Sequence, residues 1–320
     1  MSRGGLIDAQ TDTHLWAERF DRDAAAPFAV QDQITKRATV ALYQALIDGE
    51  AARPPVQPVT LDYVLRGRVA NLRGLGRDCY AGSISLFERA LSLDPHSPEA
   101  QAWLAETLAY RAFEGIAEAA AVDIARAKGL AAQAPSGVAA QRVCACCAVA
   151  RAVRTSRFEE AISECEAANA INPGLPHHYG YLGACRLWTG SINDAIPLAE
   201  RAMAISPRDP YRAYWYFTIG QVQLLHSRTS EAIAWFDKVH RLMPHFPLVH
   251  AWLAAACAHN GQIERARAEL AEARGRSRDG RYWSIARLKA VAHFGVPKIQ
   301  ASVENTLLLA GLRKAGMPED

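Results

Sequence analysis

Small and apolar residues recur along most of the chain in a fixed order that closes on a proline, with a period of 34 to 40 residues. In one copy, Ala195, Ala199 and Ala202 are followed by Pro207. The same order is found at Ala161–Ile162, Cys165, Ala168 and Pro173, at Ala232–Ile233, Phe236, Val239 and Pro244, and at Ala266, Leu270 and Ala273. Because a repeat of this period cannot cover its apolar face without its neighbours, the pattern predicts a solenoid of helix pairs.

The closing prolines set the number of repeats. They lie at 95, 135, 173, 207 and 244, which places them 40, 38, 34 and 37 residues apart. We predict six units, at 61–95, 96–135, 136–173, 174–207, 208–244 and 245–278. The first two depart most from the pattern, and Asp123 stands where unit two should have alanine. Two further helices, Tyr282–Val291 and Val303–Lys314, are predicted to cap the array.

The repeated small residues have a packing role in this prediction. Gly183 and Ala195 are placed where the two antiparallel helices of a pair touch, since a larger side chain would force them apart. Ala202 is expected to pack on the first helix of the next unit, and Pro207 to end its helix. The equivalent structural positions elsewhere are Gly220, Ala232, Pro244 and Ala266.

The first fifty residues do not follow the repeat. Residues 6–9 and 14–20 flank a polar turn and predict a β-hairpin, and Phe28–Ile47 has helical periodicity. Residues 51–60 hold Pro54, Pro55 and Pro58 and predict a linker. A lone hairpin is marginally stable, so this region is expected to be the end of a domain. The predicted division is 1–50, a linker at 51–60, repeats at 61–278 and capping helices with a tail at 279–320.

The net charge, the length of the apolar runs and the cysteine spacing narrow the class of protein. A net charge of +3 is too small to indicate nucleic acid or an anionic membrane as the main partner. There is no run of about 18 apolar residues that could span a membrane. The opening residues lack an apolar signal segment, and the seven cysteines have no framework of spacings. We therefore expect reduced thiols and a cytoplasmic location.

Units three to six resemble the tetratricopeptide repeat. The resemblance rests on the period and on the order seen in Leu182, Gly183, Ala195, Ala202 and Pro207. It implies an all-α fold, a superhelical solenoid of about six helix pairs preceded by the hairpin and helix. It also implies a non-enzymatic scaffold that binds a protein or peptide partner.

The ends of the chain carry a second resemblance. Residues 6–9, 13–23 and 28–34 are similar to the closing segment of a TolB-like amino-terminal domain, and residues 312–319 to the tail of such chains. In bacteria this domain commonly precedes tetratricopeptide repeats, in proteins headed by a class III adenylate cyclase or a winged-helix DNA-binding domain. The chain begins inside the TolB-like domain, so no catalytic residue can be carried over from a cyclase.

Candidate chemistry is sparse. Cys144, Cys146 and Cys147 form a cluster, but they diverge on a helix and lack a second pair of ligands, so helix packing is the preferred interpretation over zinc or redox chemistry. Adjacent His177 and His178 point about 100° apart on a helix, which disfavours joint chelation. No phosphate loop, nucleophile elbow or zinc motif is present, and we predict no active site, metal or cofactor.

Six arginines between residues 265 and 281 form a basic stripe. They are interleaved with Glu264, Glu269 and Glu272 at spacings that allow pairing along a helix. A solvated, paired face is therefore preferred over a site for phosphate or an acidic peptide.

The tetratricopeptide resemblance implies that first helices line a concave groove. The positions it assigns to the groove include His177 and Trp188 in unit four, Tyr214, Phe217, Gln221 and Leu224 in unit five, and His259 in unit six. These residues predict an apolar or helical ligand segment anchored by Trp188, Tyr214 and Phe217. Two alternatives stay open: the aromatic residues could pack between helices, or the helix Val303–Lys314 could fill the groove.

Three functions follow from these patterns. The first is a protein-interaction scaffold in bacterial signalling. The second is the regulatory or sensory tail of a nucleotidyl cyclase or transcriptional regulator whose head domain is missing from this chain. The third is self-association through the open edges of the hairpin at residues 6–20, which deletion of residues 1–50 should abolish.

Overall fold

The computed structural model describes residues 2–8, 13–20, 59–73, 77–113, 119–133, 158–209, 211–244, 246–277, 280–291 and 295–320. Strands β1 (Ser2–Asp8) and β2 (Thr13–Phe20) pair antiparallel, with Leu6 opposite Trp16 and a register shift after Leu6. The predicted helix Phe28–Ile47, nearly all of the linker and the cysteine cluster at 144–147 lie outside the described residues.

The rest of the described chain is helical. The helices are α1 (Thr60–Arg73), α2 (Arg77–Leu93), α3 (Pro98–Phe113), α4 (Ala120–Gln133), α5 (Phe158–Ile171), α6 (Pro176–Thr189), α7 (Ile192–Ile205), α8 (Arg212–Leu225), α9 (Thr229–Leu242), α10 (Pro247–His259), α11 (Ile263–Arg276), α12 (Ile285–Val291), α13 (Pro297–Ser302) and α14 (Leu308–Lys314). A π-helical turn, Val303–Leu307, joins α13 to α14. The all-α solenoid prediction is thus confirmed, although the last helical segment begins at Pro297 rather than Val303.

Local sequence explains where the paired helices start and stop. Pro176 and Pro247 lie in the first turn of α6 and α10, where a proline costs no hydrogen bond. Gly190 ends α6 with a φ of 93°, and its N–H donates to the Leu187 carbonyl. This left-handed conformation suits glycine, so the chain reverses within two residues and α7 returns beside α6.

Small residues sit at the contacts between paired helices. A Cβ on Gly183 of α6 would lie 3.1 Å from the Ala195 carbonyl oxygen of α7, and one on Gly220 of α8 would lie 2.6 Å from the Phe236 ring of α9. Ala202 is fully buried beside Trp215 of the next pair. Ala232 and Ala266 are also fully buried, whereas Pro207 and Pro244 stand just after α7 and α9.

The array folds back on itself at the carboxyl end. After α12, residues 295–317, which we name the C-terminal strap, return along α10; the turn Val303–Leu307 contacts α8 and α10. The last residues of the chain cap the start of α12, because the carbonyls of Pro318 and Glu319 accept hydrogen bonds from the N–H groups of Ile285 and Ala286. The strap is therefore part of the packed structure.

Candidate partner-binding surfaces

The first helices of the pairs form one face, which we name the first-helix face. In the described residues it is built from α1, α3, α6, α8 and α10. It divides into a covered part, from α6 to α10 beneath the strap, and an aromatic part where α3 approaches α6 and α8. Each predicted groove residue belongs to one of these parts or to the core behind them.

The strap is held by backbone and side-chain contacts at both ends. The N–H of Val296 donates to the Trp188 carbonyl at 2.9 Å, and Nε2 of His259 donates to the Leu307 carbonyl at 2.7 Å. Gly311 of α14 crosses α10 so closely that a Cβ there would lie 2.7 Å from the Cα of Ala255. The second alternative raised for the groove, occupation by the chain's own helix Val303–Lys314, is consistent with this arrangement.

Residues predicted to line the groove in unit five are mostly buried. Phe217 is 6% exposed, with its ring centroid 5.7 Å from that of Phe236, 5.7 Å from Phe246 and 6.1 Å from Trp252. Gln221 and Leu224 of the same helix are also buried. Phe217 therefore packs in the core between α8, α9 and α10, which is the alternative to a role as an accessible anchor.

Trp188 and His259 lie at the edge of the covered part. The Trp188 ring meets the Trp252 ring edge-to-face at 6.3 Å, and its carbonyl holds the strap. His259 faces the strap backbone at Leu307. Both side chains are half-buried, and the strap contacts Trp188 at its backbone carbonyl and His259 at its ring.

Tyr110, Tyr181, Tyr211 and Tyr214, which we name the tyrosine cluster, meet on the aromatic part of the face. The ring of Tyr110 stacks on Tyr211 at 4.8 Å and on Tyr214 at 5.5 Å, and its hydroxyl lies 2.6 Å from that of Tyr181. Tyr110 and Tyr211 are buried, whereas Tyr181 and Tyr214 are half-buried. The cluster thus places two half-buried tyrosine rings beside two buried ones.

His177 borders the tyrosine cluster. Its Nε2 lies 3.5 Å from Oδ1 of Asp209, and its ring meets Tyr211 and Trp215 edge-on at 5.2 and 6.3 Å. The adjacent His178 is fully buried, whereas the side chain of His177 keeps 14% exposure. The described residues contain no group of three potential metal ligands.

Buried thiols do not provide a nucleophile in the described region. Burial raises the pKa of Cys165 well above its usual value and that of Cys185 to about 12, and the pKa of Cys257 is raised to about 11 for the same reason. Since the thiolate is the reactive form, these side chains act as small apolar packing residues.

Three arginines of the basic stripe near the end of the array are paired with acidic groups, whereas Arg274 donates to the Tyr282 carbonyl and Arg278 lies outside the described residues. Arg265 binds Asp237, and Arg276 lies 2.8 Å from Glu272. Arg267 pairs with Glu264 at 2.9 Å. The preferred interpretation, a solvated and paired face, fits these contacts.

The tyrosine cluster and the full extent of the strap are not predicted by the sequence patterns. Tyr110, Tyr181 and Tyr211 lie in or beside first helices. Tyr110 and Tyr211 are separated by about a hundred residues, and no spacing in the sequence indicates that they come into contact. Pro297 does mark a helix start, and this signal could have extended the predicted last helix.

Residues 223–290 match the family model described as "Tetratricopeptide repeat". A protein of Rhizobium meliloti (strain 1021) named "Putative adenylate cyclase 3" is 36% identical over 103 residues. That match covers 31% of this chain and 17% of the relative, so the chain spans a small part of the relative's length.

Solved structures share the fold. The human IFIT1 dimer with m7Gppp-AAAA has a TM-score of 0.54 at 16% identity, covering 78% of this chain and 60% of that one. The Cut9–Hcn1 hetero-tetramer of the APC/C has a TM-score of 0.52 at 14% identity, covering 82% of this chain and 46% of that one. No described helix is long and apolar enough to cross a membrane. The described chain from residue 59 onward is a helical solenoid of the tetratricopeptide type.

Proposed function

We propose that this chain is a non-enzymatic scaffold that binds a partner protein on the tyrosine cluster of its first-helix face. The observation that carries the proposal is the meeting of four tyrosines from distant parts of the array, two of them half-buried. Tyrosine supplies a large contact area for little conformational entropy, and it is enriched at binding hot spots. A solenoid is suited to this role because its stacked helices hold such residues on a rigid surface.

The ligand is an apolar or helical peptide segment with hydrogen-bonding groups along one edge. The rings of Tyr181 and Tyr214 offer apolar contact, and the Tyr110–Tyr181 hydroxyl pair offers a polar edge. His177 and Tyr214 are the predicted groove residues that belong to this surface. Trp188, Phe217, Gln221, Leu224 and His259 support it from the core or from beneath the strap.

A comparison of two tyrosines on α8 tests the proposal. Tyr214 belongs to the cluster. Tyr216 lies outside the cluster and packs on Trp235, with the two ring centroids 5.4 Å apart. Partners are captured by cross-linking from cell extract with wild type, Tyr214→Ala and Tyr216→Ala, after circular dichroism shows equal helicity. We expect Tyr214→Ala to lose partners that wild type and Tyr216→Ala retain. Identical lists from all three proteins would contradict a binding site at the cluster.

A second function has independent support. Similarity to the protein named "Putative adenylate cyclase 3" favours a role as the regulatory region of a bacterial nucleotidyl cyclase whose catalytic domain belongs to the same chain or to a separate one. The test is to purify the tagged chain from its natural host and measure cyclic AMP production in the eluate. Cyclase activity that co-purifies with wild type above a tag-only control supports this role, and activity equal to the control contradicts it. We also propose that the first residues are the end of a TolB-like domain, and that a winged-helix transcriptional regulator is the alternative to the cyclase.

A further inference from the structure

The strap has the residue pattern of a helical ligand. Its inward face is apolar and buried, and consists of Ile299, Val303, Leu307, Leu308, Leu309 and Leu312. Its outward face carries exposed Lys298, Ala301, Arg313 and Lys314. An amphipathic helix laid by its apolar face on a helical groove is a recurring mode of peptide recognition. In this chain both the helix and the groove belong to one polypeptide.

The surface on which the strap packs, which we name the seat, leaves room only for glycine at two positions of the strap. At Gly311, a Cβ would lie 2.7 Å from the Cα, Cβ and carbonyl oxygen of Ala255. At Gly295, a Cβ would lie 2.2 Å from the Trp188 carbonyl oxygen, and the φ of 78° also favours glycine. Because backbone atoms set both contacts, the seat discriminates against larger side chains at these two points.

A side chain of the array also recognises the backbone of the strap. The π-helical turn ends at Leu307, whose carbonyl accepts the hydrogen bond from His259 of α10. The N–H of Val296 is held in turn by the carbonyl of Trp188, at the end of α6. The seat therefore combines an apolar floor with two polar contacts to main-chain atoms, as a peptide-binding groove does.

We propose that the first-helix face from α6 to α10 is a binding site for an amphipathic helix, and that the strap is its occupant within the chain. A partner helix with the same apolar pattern and a small residue at the crossing with Ala255 competes with the strap. The closed chain excludes such a partner until the strap is released. This site is separate from the tyrosine cluster, so either proposal can fail without the other.

The test uses the full chain with a protease recognition sequence inserted between Val291 and Gly295. After cleavage, a fluorescent synthetic peptide of residues 295–320 is added, and its anisotropy is followed. We expect the peptide to exchange into the cut protein and to show no binding to the uncut protein. In competition, a Gly311→Leu peptide should be at least about tenfold weaker than the natural peptide, because its side chain meets the Ala255 backbone.

The matched control is an Ala301→Leu peptide, which places the same side chain on the exposed face and should compete within about twofold of the natural peptide. Equal competition by the Gly311→Leu peptide would overturn the proposal, because the seat would not be selecting the strap. Loss of helicity on cleavage, or no exchange with excess labelled peptide, would show instead that the strap is a permanent part of the fold.

Discussion

The two ends of the array are stabilised differently. Between α1 and α4 the interior contains polar groups: Asn71 donates to the Thr107 hydroxyl at 2.7 Å, and Arg111 forms two hydrogen bonds of 2.8 Å with Asp123. From α8 to the strap the apolar and aromatic core is larger and is centred on α10, whose residues 251–257 are at most 1% exposed. This part also contains a buried polar pair, in which Nδ1 of His250 lies 2.7 Å from Oε2 of Glu269. The two parts therefore differ in the extent of the apolar core, and both contain buried polar pairs.

The strap explains much of this contrast. In a solenoid each unit usually contacts its neighbours alone, so stability is roughly a sum of local terms. Here the Val296–Trp188 hydrogen bond and the packing of α14 on α10 join the fourth pair to the sixth. The carboxyl-terminal half is therefore tied by contacts between units that are not adjacent, and we expect it to unfold as one cooperative body.

The largest expected effect is from Phe217→Glu in the aromatic core. A carboxylate placed among Phe236, Phe246 and Trp252 loses the packing of the ring and has no partner, so the free energy of unfolding should fall by more than about 4 kcal/mol. Thermal unfolding followed by circular dichroism measures this. Trp283→Glu is the control, because Trp283 is 58% exposed, and it should change stability by less than about 0.5 kcal/mol.

A smaller effect is expected when the strap is displaced. Gly311→Leu in the full chain should cost about 1–3 kcal/mol, since the new side chain meets the backbone of Ala255. Gly275→Leu is the matched control, because a Cβ on Gly275 meets no atom within 4 Å. Urea unfolding curves compare the two variants. Equal midpoints for Gly311→Leu and the control would contradict the tight crossing.

The polar interior of the second pair offers the next comparison. Arg111→Met removes the partner of Asp123, whose side chain is 10% exposed, and should cost about 1–3 kcal/mol. Arg126→Met breaks the pair with Glu88, in which both side chains are 46% exposed, and should cost less than about 1 kcal/mol. Denaturant titration of both variants tests whether burial sets the difference, and the reverse ranking would refute it.

The smallest expected effect is from His259→Ala at the edge of the strap. The Leu307 carbonyl loses its side-chain donor, which should cost about 0.5–1.5 kcal/mol. Amide exchange should quicken in α14 and stay unchanged in α3 and α4. An equal change in both regions would indicate that His259 does not act through the strap.

Repeat positions explain why the sequence alone predicted the paired helices well. Gly183 and Ala195 mark helix contacts that depend on local geometry, and the fourth unit, predicted at 174–207, contains α6 and α7. The fifth and sixth predicted units likewise contain α8 to α11. Signals of this kind are local, since glycine, alanine and proline act on the helix that carries them.

The candidate surfaces depend on tertiary packing and could not be predicted in the same way. Phe217 has the same residue type and spacing whether it faces a groove or the core, and its position is decided by Phe236, Phe246 and Trp252. The strap is similar, because a helix that caps and a helix that fills a groove share one amphipathic pattern. The contact of Tyr110 with Tyr211 joins parts of the chain that local patterns do not relate.

Hydrogen–deuterium exchange of the intact chain, resolved by mass spectrometry, measures whether the strap covers the first-helix face. We expect the amides of Leu308–Leu312 to be protected to the same degree as those of α10, because the strap is packed on that helix. Exchange of Leu308–Leu312 at the rate of an unstructured peptide, with α10 still protected, would show that the first-helix face is open and would contradict the account.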